Sequence, residues 1–470
     1  MYLEISRDSD ISLTRQIYSK IVNKILTGEL KSHEKLPSTR KLAEILGVSR
    51  IITLEVYDQL MAEGYVYSLK ASGTYVNKDI LYTSKEILST KNKVLKNRLL
   101  YEVSKGFISF RPGIPDLRSV PIKTWAKTYK NIVSNSNMDQ LDYQSPMGSY
   151  ELRTELEKYL YFARGVRTEA TNIIITSGAA QAFALLKVLL NEHEYVLLEN
   201  PCSIGLKKTL DLNSMRYKPI DVDENGLVTK MLPQEAPKLI ITTPSHQFPK
   251  GVILPIDRRI ELVNYAHKNN GYIVEDDYDS EFRFEGSPIP SLQSLEPQRT
   301  IYVGTFSKTF SPVIRLGYMV LPDALVSIFE KAKYGTDIHS ALFEQLTMAQ
   351  LIRDGSYLRH IYKMRKVYAQ RRELIVSYLK KIFKDEIKIS GDRSGLHIVI
   401  AVRCPDVEKE IIQERLIENK VEIWDVDRFY FSLSNYKVTE EYKTFIIGYG
   451  NCEEEEIIEG LSRFKKALFL

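Results

Sequence analysis

Lys308, in TIYVGTFSKTF, is a primary amine at the end of an apolar run, and it can form a Schiff base if its neighbours lower its pKa. Asp276, in GYIVEDDYDS, can hold a protonated heterocyclic nitrogen, and Tyr278 can donate to a phenolate-like oxygen. Ser177, Gly178, Ala179 and Ala180 form a turn that opens a helix at Gln181, which offers backbone N–H groups to a phosphate. Arg315 can add a charge-assisted grip. His246 and Gln247 close a further run, KLIITTPSHQ. A phosphate cradle, an imine-forming lysine and an acid for a ring nitrogen are what pyridoxal phosphate requires. Each group alone has an ordinary use, as a surface lysine, a turn aspartate or a loop histidine; their shared position is what joins them.

That position follows from the elements. NIIITSGAAQ, YVLLENP, KLIITTPSHQ, GYIVEDDYDS and TIYVGTFSKTF each read as a buried parallel strand ending in polar residues. Helical and strand signals alternate from residue 106 to the C-terminus, so an α/β fold is expected, with ligands at the carboxyl edge of the sheet. Residues 1–78 read differently. LTRQIYSKIVNKIL has apolar residues at helical spacing, Ser38 can cap STRKLAEILG, Ser49 can cap SRIITLEVYDQLMAEG, and YVYSLKASGTYV alternates like a hairpin. Helices joined by a tight glycine turn, followed by a hairpin, predict a winged helix-turn-helix.

Composition bounds the rest. A chain of 470 residues, 44% hydrophobic and 27% charged, can bury several cores and is not disordered. No apolar run nears the roughly 18 residues that span a bilayer, and MYLEISRDSD lacks a signal-peptide core, so a cytoplasmic protein with no membrane contact is expected. Cys202, Cys404 and Cys452 lie far apart, which argues against a disulfide framework and against a metal site. The net charge is +5, and residues 81–105 carry six lysines and arginines against two glutamates; a basic linker over 79–105 is expected. Residues 1–80 are nearly balanced, with 11 basic against 10 acidic side chains, so any grip on a duplex must come from local clustering.

The motifs LPSTRKLA, GVSR, AEGY and SGTYV resemble the winged helix-turn-helix of GntR-type repressors. YQSPMGSYELR, TSGAAQA, TPSHQFPKG, EDDYDSEFR and GTFSKTFSPVIRLGY resemble a fold type I aminotransferase, and the order of the two parts is similar to that of MocR/GabR-type transcription regulators. The resemblance implies a DNA-binding domain at 1–78 and an aminotransferase-like domain at 106–470, with a large part at about 130–330 and a small part at about 355–470. It implies that Ser38, Thr39, Arg40, Ser49, Arg50, Thr53 and Gly73 face an operator. It further implies that Lys308 carries the cofactor as an aldimine, that Asp276 pairs with the pyridine nitrogen, and that Tyr278 faces the 3-hydroxyl. Ser177, Gly178, Ala179, Ala180, Thr305, Ser307 and Arg315 would hold the phosphate, with Tyr143 reaching that of the neighbouring subunit in a homodimer. Either His246 or Gln247 would stand near the place of the enzymes' cofactor-contacting Asn.

Two departures stand out. ENPCSIG puts Cys202 and Ser203 where an aromatic commonly lies against the ring, and TFIIGYG lacks the arginine that grips a substrate carboxylate. Arg428, or more weakly Arg393, is then the candidate to clamp an effector. The expected function is a regulator sensing an amine or amino acid by aldimine exchange at Lys308, capable of a half-transamination at most. The alternatives are an active aminotransferase and a sensor of pyridoxal phosphate that controls vitamin B6 supply.

Overall fold

The computed structural model describes residues 3–7, 9, 11–70, 72–78, 105–286, 289–391, 393–404, 407–431 and 441–469. The chain divides into two compact units, Met1–Glu102 and Val103–Leu470. The expected linker at 79–105 lies outside the described residues apart from Lys105.

In the first unit, α1 (Leu13–Leu26) buries the stripe Ile17, Ile21 and Ile25. The next helix, α2 (Thr39–Leu46), starts where the Ser38 side chain accepts from the Lys41 N–H at 3.2 Å, and it ends at Gly47, whose φ of 62° suits a residue without Cβ. Ser49 precedes α3 (Arg50–Ala62), which buries Thr53, Val56, Tyr57 and Leu60. The wing is β1 (Val66–Leu69) paired antiparallel with β2 (Gly73–Val76), Val66 opposite Val76. Residues ahead of α2 extend this sheet, since Leu36 N–H donates to Thr74 O and Val76 N–H to Glu34 O, both at 2.9 Å.

In the second unit, a short strand β3 (Ile108–Ser109) precedes the main sheet. That sheet holds β4 (Ile173–Thr176), β5 (Val196–Asn200), β6 (Tyr217–Asp223), β7 (Gly226–Leu227), β8 (Leu239–Thr242), β9 (Tyr272–Asp277), β10 (Thr300–Thr305) and β11 (Gly317–Val320), in the order β4-β11-β10-β9-β8-β5-β6-β7. The five apolar runs read from sequence are β4, β5, β8, β9 and β10. Strands β10, β9, β8, β5 and β6 pair in parallel, whereas β11 runs antiparallel to both β10 and β4. Val303 lies opposite Asp276 and Ile241 opposite Val274, so the polar carboxyl ends fall along one edge. Both faces are covered, which is why these strands are continuously apolar.

The long helix Ser356–Phe383 leads into a second sheet, with β12 (Ile387–Ser390), β13 (His397–Arg403), β15 (Trp424–Asp425) and β16 (Tyr442–Gly448) in the order β12-β13-β16-β15. A two-residue strand, β14 (Val421–Glu422), pairs in parallel with β3. The segment after residue 105 therefore packs with the C-terminal part: Ile108 N–H donates to Lys420 O at 3.0 Å, and a Cβ on Gly460 would fall 2.5 Å from Phe110. Among the described residues, no helix is long and apolar enough to cross a membrane.

Candidate functional site

The parallel register brings Lys308, just past β10, to the same edge as Asp276 near the end of β9. The Lys308 Nζ donates to Gly113 O at 2.7 Å. Burial lowers its pKa, opposed by the charges of Asp279 and Asp276 and reinforced by that of Arg111. The Asp276 carboxyl is pushed up to about 8, first by burial and then by Asp277, Glu199 and Asp279. An amine of reduced basicity thus faces an acid that keeps its proton at neutral pH.

Tyr278 donates its hydroxyl to His246 O at 2.9 Å, and the same hydroxyl lies 3.1 Å from His246 Nδ1. That ring nitrogen is also 3.1 Å from both oxygens of Asp279, whose Oδ2 accepts the Leu396 N–H at 3.1 Å. His246, Asp279 and His397 bring possible metal-ligand atoms within 4.8 Å of one another. His397 Nε2 lies 3.0 Å from Pro249 O, His246 Nε2 is buried without a hydrogen-bond partner, and Gly395 packs so closely that a Cβ would fall 2.0 Å from the His246 Cε1. Of the two candidates for the position near the cofactor, His246 is the one beside Tyr278. Gln247 turns its amide to Pro201 O and Phe248 O, each at 2.8 Å, and to Glu199 Oε2 at 3.2 Å.

Ser177, Gly178, Ala179 and Ala180 lie at the end of β4, where Gly178 has φ 109° and a Cβ on it would fall 3.1 Å from Arg315 Nη2. The arginine therefore lies directly on the glycine turn. The Thr305 hydroxyl donates to Ser307 Oγ at 3.0 Å and accepts the Ser307 N–H at 3.1 Å, so both join the same cluster through β10, whose Thr305 pairs with Gly317 of β11. The Ser177 N–H is already taken by Gln181 Oε1 at 2.8 Å. Tyr143 is 77% exposed and lies edge-on to His339.

Three groups that sequence reasoning passed over complete the geometry. Glu199, buried at the end of β5, accepts from the Thr242 and Thr243 hydroxyls at 2.5 and 2.6 Å and fixes the loop that carries His246. Arg164 pairs with Asp277 at 2.6 Å, both side chains buried, while Tyr302 donates to the same carboxylate at 2.6 Å. Arg111, brought in by the β3–β14 pairing, is a cation whose charge acts on Lys308. Only Glu199 and Asp277 had a sequence signal, as acids ending apolar runs. Of the two expected effector clamps, the Arg428 guanidinium lies 4.2 Å from the Trp424 ring centroid, and Arg393 is exposed, its carbonyl accepting the Phe284 N–H. Burial, then the charge of Glu199, pushes the Cys202 thiol up to about 12, so it is not a nucleophile at neutral pH.

In the first unit Arg40, Ser49, Arg50 and Gly73 are exposed, and Gly73 lies against Lys35. Thr39 begins α2 and is half-buried, whereas the capping Ser38 is exposed. Thr53 departs from expectation. It is fully buried, and its hydroxyl donates to Thr39 O at 2.9 Å and to Arg50 O at 3.0 Å, so it ties α3 to α2 and offers nothing to a duplex.

Comparison with known proteins fits both units. Residues 13–76 match the model for bacterial regulatory proteins of the gntR family, and residues 108–440 that for aminotransferase class I and II. The probable rhizopine catabolism regulatory protein MocR of Rhizobium meliloti is 30% identical, the alignment covering 99% of this chain and 95% of that one. This chain belongs to the MocR-type transcription regulators. Its GntR domain is a DNA-binding module, and its second domain is an aminotransferase-like fold. The HTH-type transcriptional regulator YdeL of Bacillus subtilis is 34% identical over 98% of each chain, and the HTH-type pyridoxine biosynthesis transcriptional regulator PdxR of Corynebacterium glutamicum is 30% identical over 84% of each. Among solved structures, Pyrococcus horikoshii kynurenine aminotransferase, crystallised with PMP, matches with a TM-score of 0.70 at 26% identity, covering 82% of this chain and 96% of that one.

Proposed function

We propose that this MocR-type chain is a pyridoxal phosphate-dependent regulator, whose aminotransferase-like domain senses an amine or amino acid at Lys308. The observation that carries the reading is the meeting, at one sheet edge, of a lysine of lowered pKa and a carboxyl pushed up to about 8. Asp276, costly to ionise alone, becomes an anion at little cost once a cationic ring nitrogen lies beside it. Tyr278, aligned by His246, meets the adjacent ring oxygen, and Arg315 with Gly178 and Ser307 takes the phosphate. When bound, the cofactor supplies an aldehyde carbon that primary amines join reversibly, so Lys308 and an effector amine compete for it.

Release of Lys308 matters because its free Nζ donates to Gly113 O, as it does here, and the segment of Gly113 pairs with the C-terminal part through β3 and β14. An effector that changes this bond biases the placement of that part, to the extent that it prefers one arrangement over the other. Full turnover is not expected, since β16 reads YKTFIIG and offers no arginine for a substrate carboxylate. A homodimer on paired operator half-sites completes the reading.

A second reading, in which pyridoxal phosphate itself is the signal, is supported by the same missing arginine and by the likeness to PdxR. One experiment separates the two. Amines and amino acids are screened for a change in the bound cofactor's absorbance, and operator binding is then measured with each hit. The amine reading requires a hit that alters DNA affinity; DNA affinity that responds to the cofactor alone, and to no amine, overturns it in favour of the second.

A further inference from the structure

The buried face of α3 is Thr53, Val56, Tyr57 and Leu60, so its first turn presents Arg50, Ile51 and Leu54 to solvent. Ile51 is 75% exposed and Leu54 39% exposed, and their spacing of three residues sets the two side by side on that face of the helix. Farther along the same face Glu55 accepts from the Thr14 hydroxyl at 3.2 Å and Asp58 is exposed. Those two acids repel phosphates, so only the first turn of α3 can lie deep in a groove, with Arg50 supplying the attraction.

Helix-turn-helix proteins read bases with the N-terminal residues of the second helix, and the major-groove edge of a base pair carries one apolar feature, the 5-methyl group of thymine. Thr53, the polar residue expected to make a base contact, is locked between α2 and α3. We propose that Ile51, with Leu54 beside it, reads a thymine methyl in each operator half-site and so sets base preference there. This rests on the reading that the GntR domain binds duplex DNA.

The test uses the full chain and a random-sequence duplex library. Retained duplexes are sequenced, then remade with deoxyuridine in place of thymine, one position at a time. Loss of one methyl from the contact should weaken wild-type binding about fourfold per half-site. Ile51→Ala, a surface change to a better helix former, should bind the thymine duplex about as weakly and no longer distinguish it from the deoxyuridine one. The proposal is overturned if no thymine is methyl-sensitive, or if Ile51→Ala keeps the wild-type thymine-to-deoxyuridine ratio. Failure of the wild type to retain any duplex would instead remove the DNA-binding reading, and this inference with it.

Discussion

Asp276→Asn, made in cofactor-free protein, separates a carboxyl poised for a cation from a merely structural one. Its folded pKa of about 8 is raised from an ordinary 3.8, so the folded state holds a proton that the unfolded chain has released between those values. The stability this contributes is fully present below about pH 4 and is lost as pH rises through 8. In that window of about four pH units the slope is at most about 1.4 kcal/mol per unit, which makes about 6 kcal/mol the upper bound on the total. Asparagine does not titrate. In urea denaturation at pH 5, 6, 7, 8 and 9, the stability of the variant relative to wild type should therefore rise by up to about 1.4 kcal/mol per unit and level off above pH 8. Glu275, pushed up to about 7 by burial, titrates in both proteins and largely cancels in the difference. Pyridoxal phosphate affinity should move the other way, falling by tenfold or more as a charge-assisted hydrogen bond of about 1.5–3 kcal/mol is lost. A stability difference that stays flat from pH 5 to 9 would refute the reasoning.

Arg164→Met should destabilise the second unit by about 3–5 kcal/mol in urea, because Asp277 is left buried without its partner at 2.6 Å. Thr53→Val should cost about 1 kcal/mol in thermal melts through loss of its two carbonyl bonds, while the operator sequences selected by the variant stay those of wild type. Arg315→Ala should weaken pyridoxal phosphate far more than pyridoxal in equilibrium titrations; equal losses would remove the phosphate role assigned to it. Tyr278→Phe should shift the pH at which the bound cofactor's absorbance changes, since the hydroxyl that would turn from His246 O to donate to the ring oxygen is gone.

Much of this architecture is legible in the chain because buried parallel strands are written as uninterrupted apolar runs, and β4, β5, β8, β9 and β10 are five of them. Lys308 and Asp276 could be placed on one edge for that reason alone. The β3–β14 pairing could not, because two-residue strands joining Ile108 to Val421 carry no periodic signal across so long a separation, and Arg111 went unnoticed with them. Thr53 illustrates a different failure: its phase with Val56, Tyr57 and Leu60 marks it as core, while its hydroxyl and its place beside Arg50 suggest a base contact. Phase decides the matter, since a helix has one buried side. The stacking of Arg428 on Trp424 and the exposure of Arg393 are tertiary facts that no pattern in the chain displays.

Sensing by amine exchange requires Lys308 to be the attachment point. Purified protein incubated with pyridoxal phosphate, reduced with borohydride and digested should yield one pyridoxyl-modified peptide, with the added mass on Lys308, and Lys308→Ala should yield none. A modification carried by another lysine, or undiminished in Lys308→Ala, would contradict it.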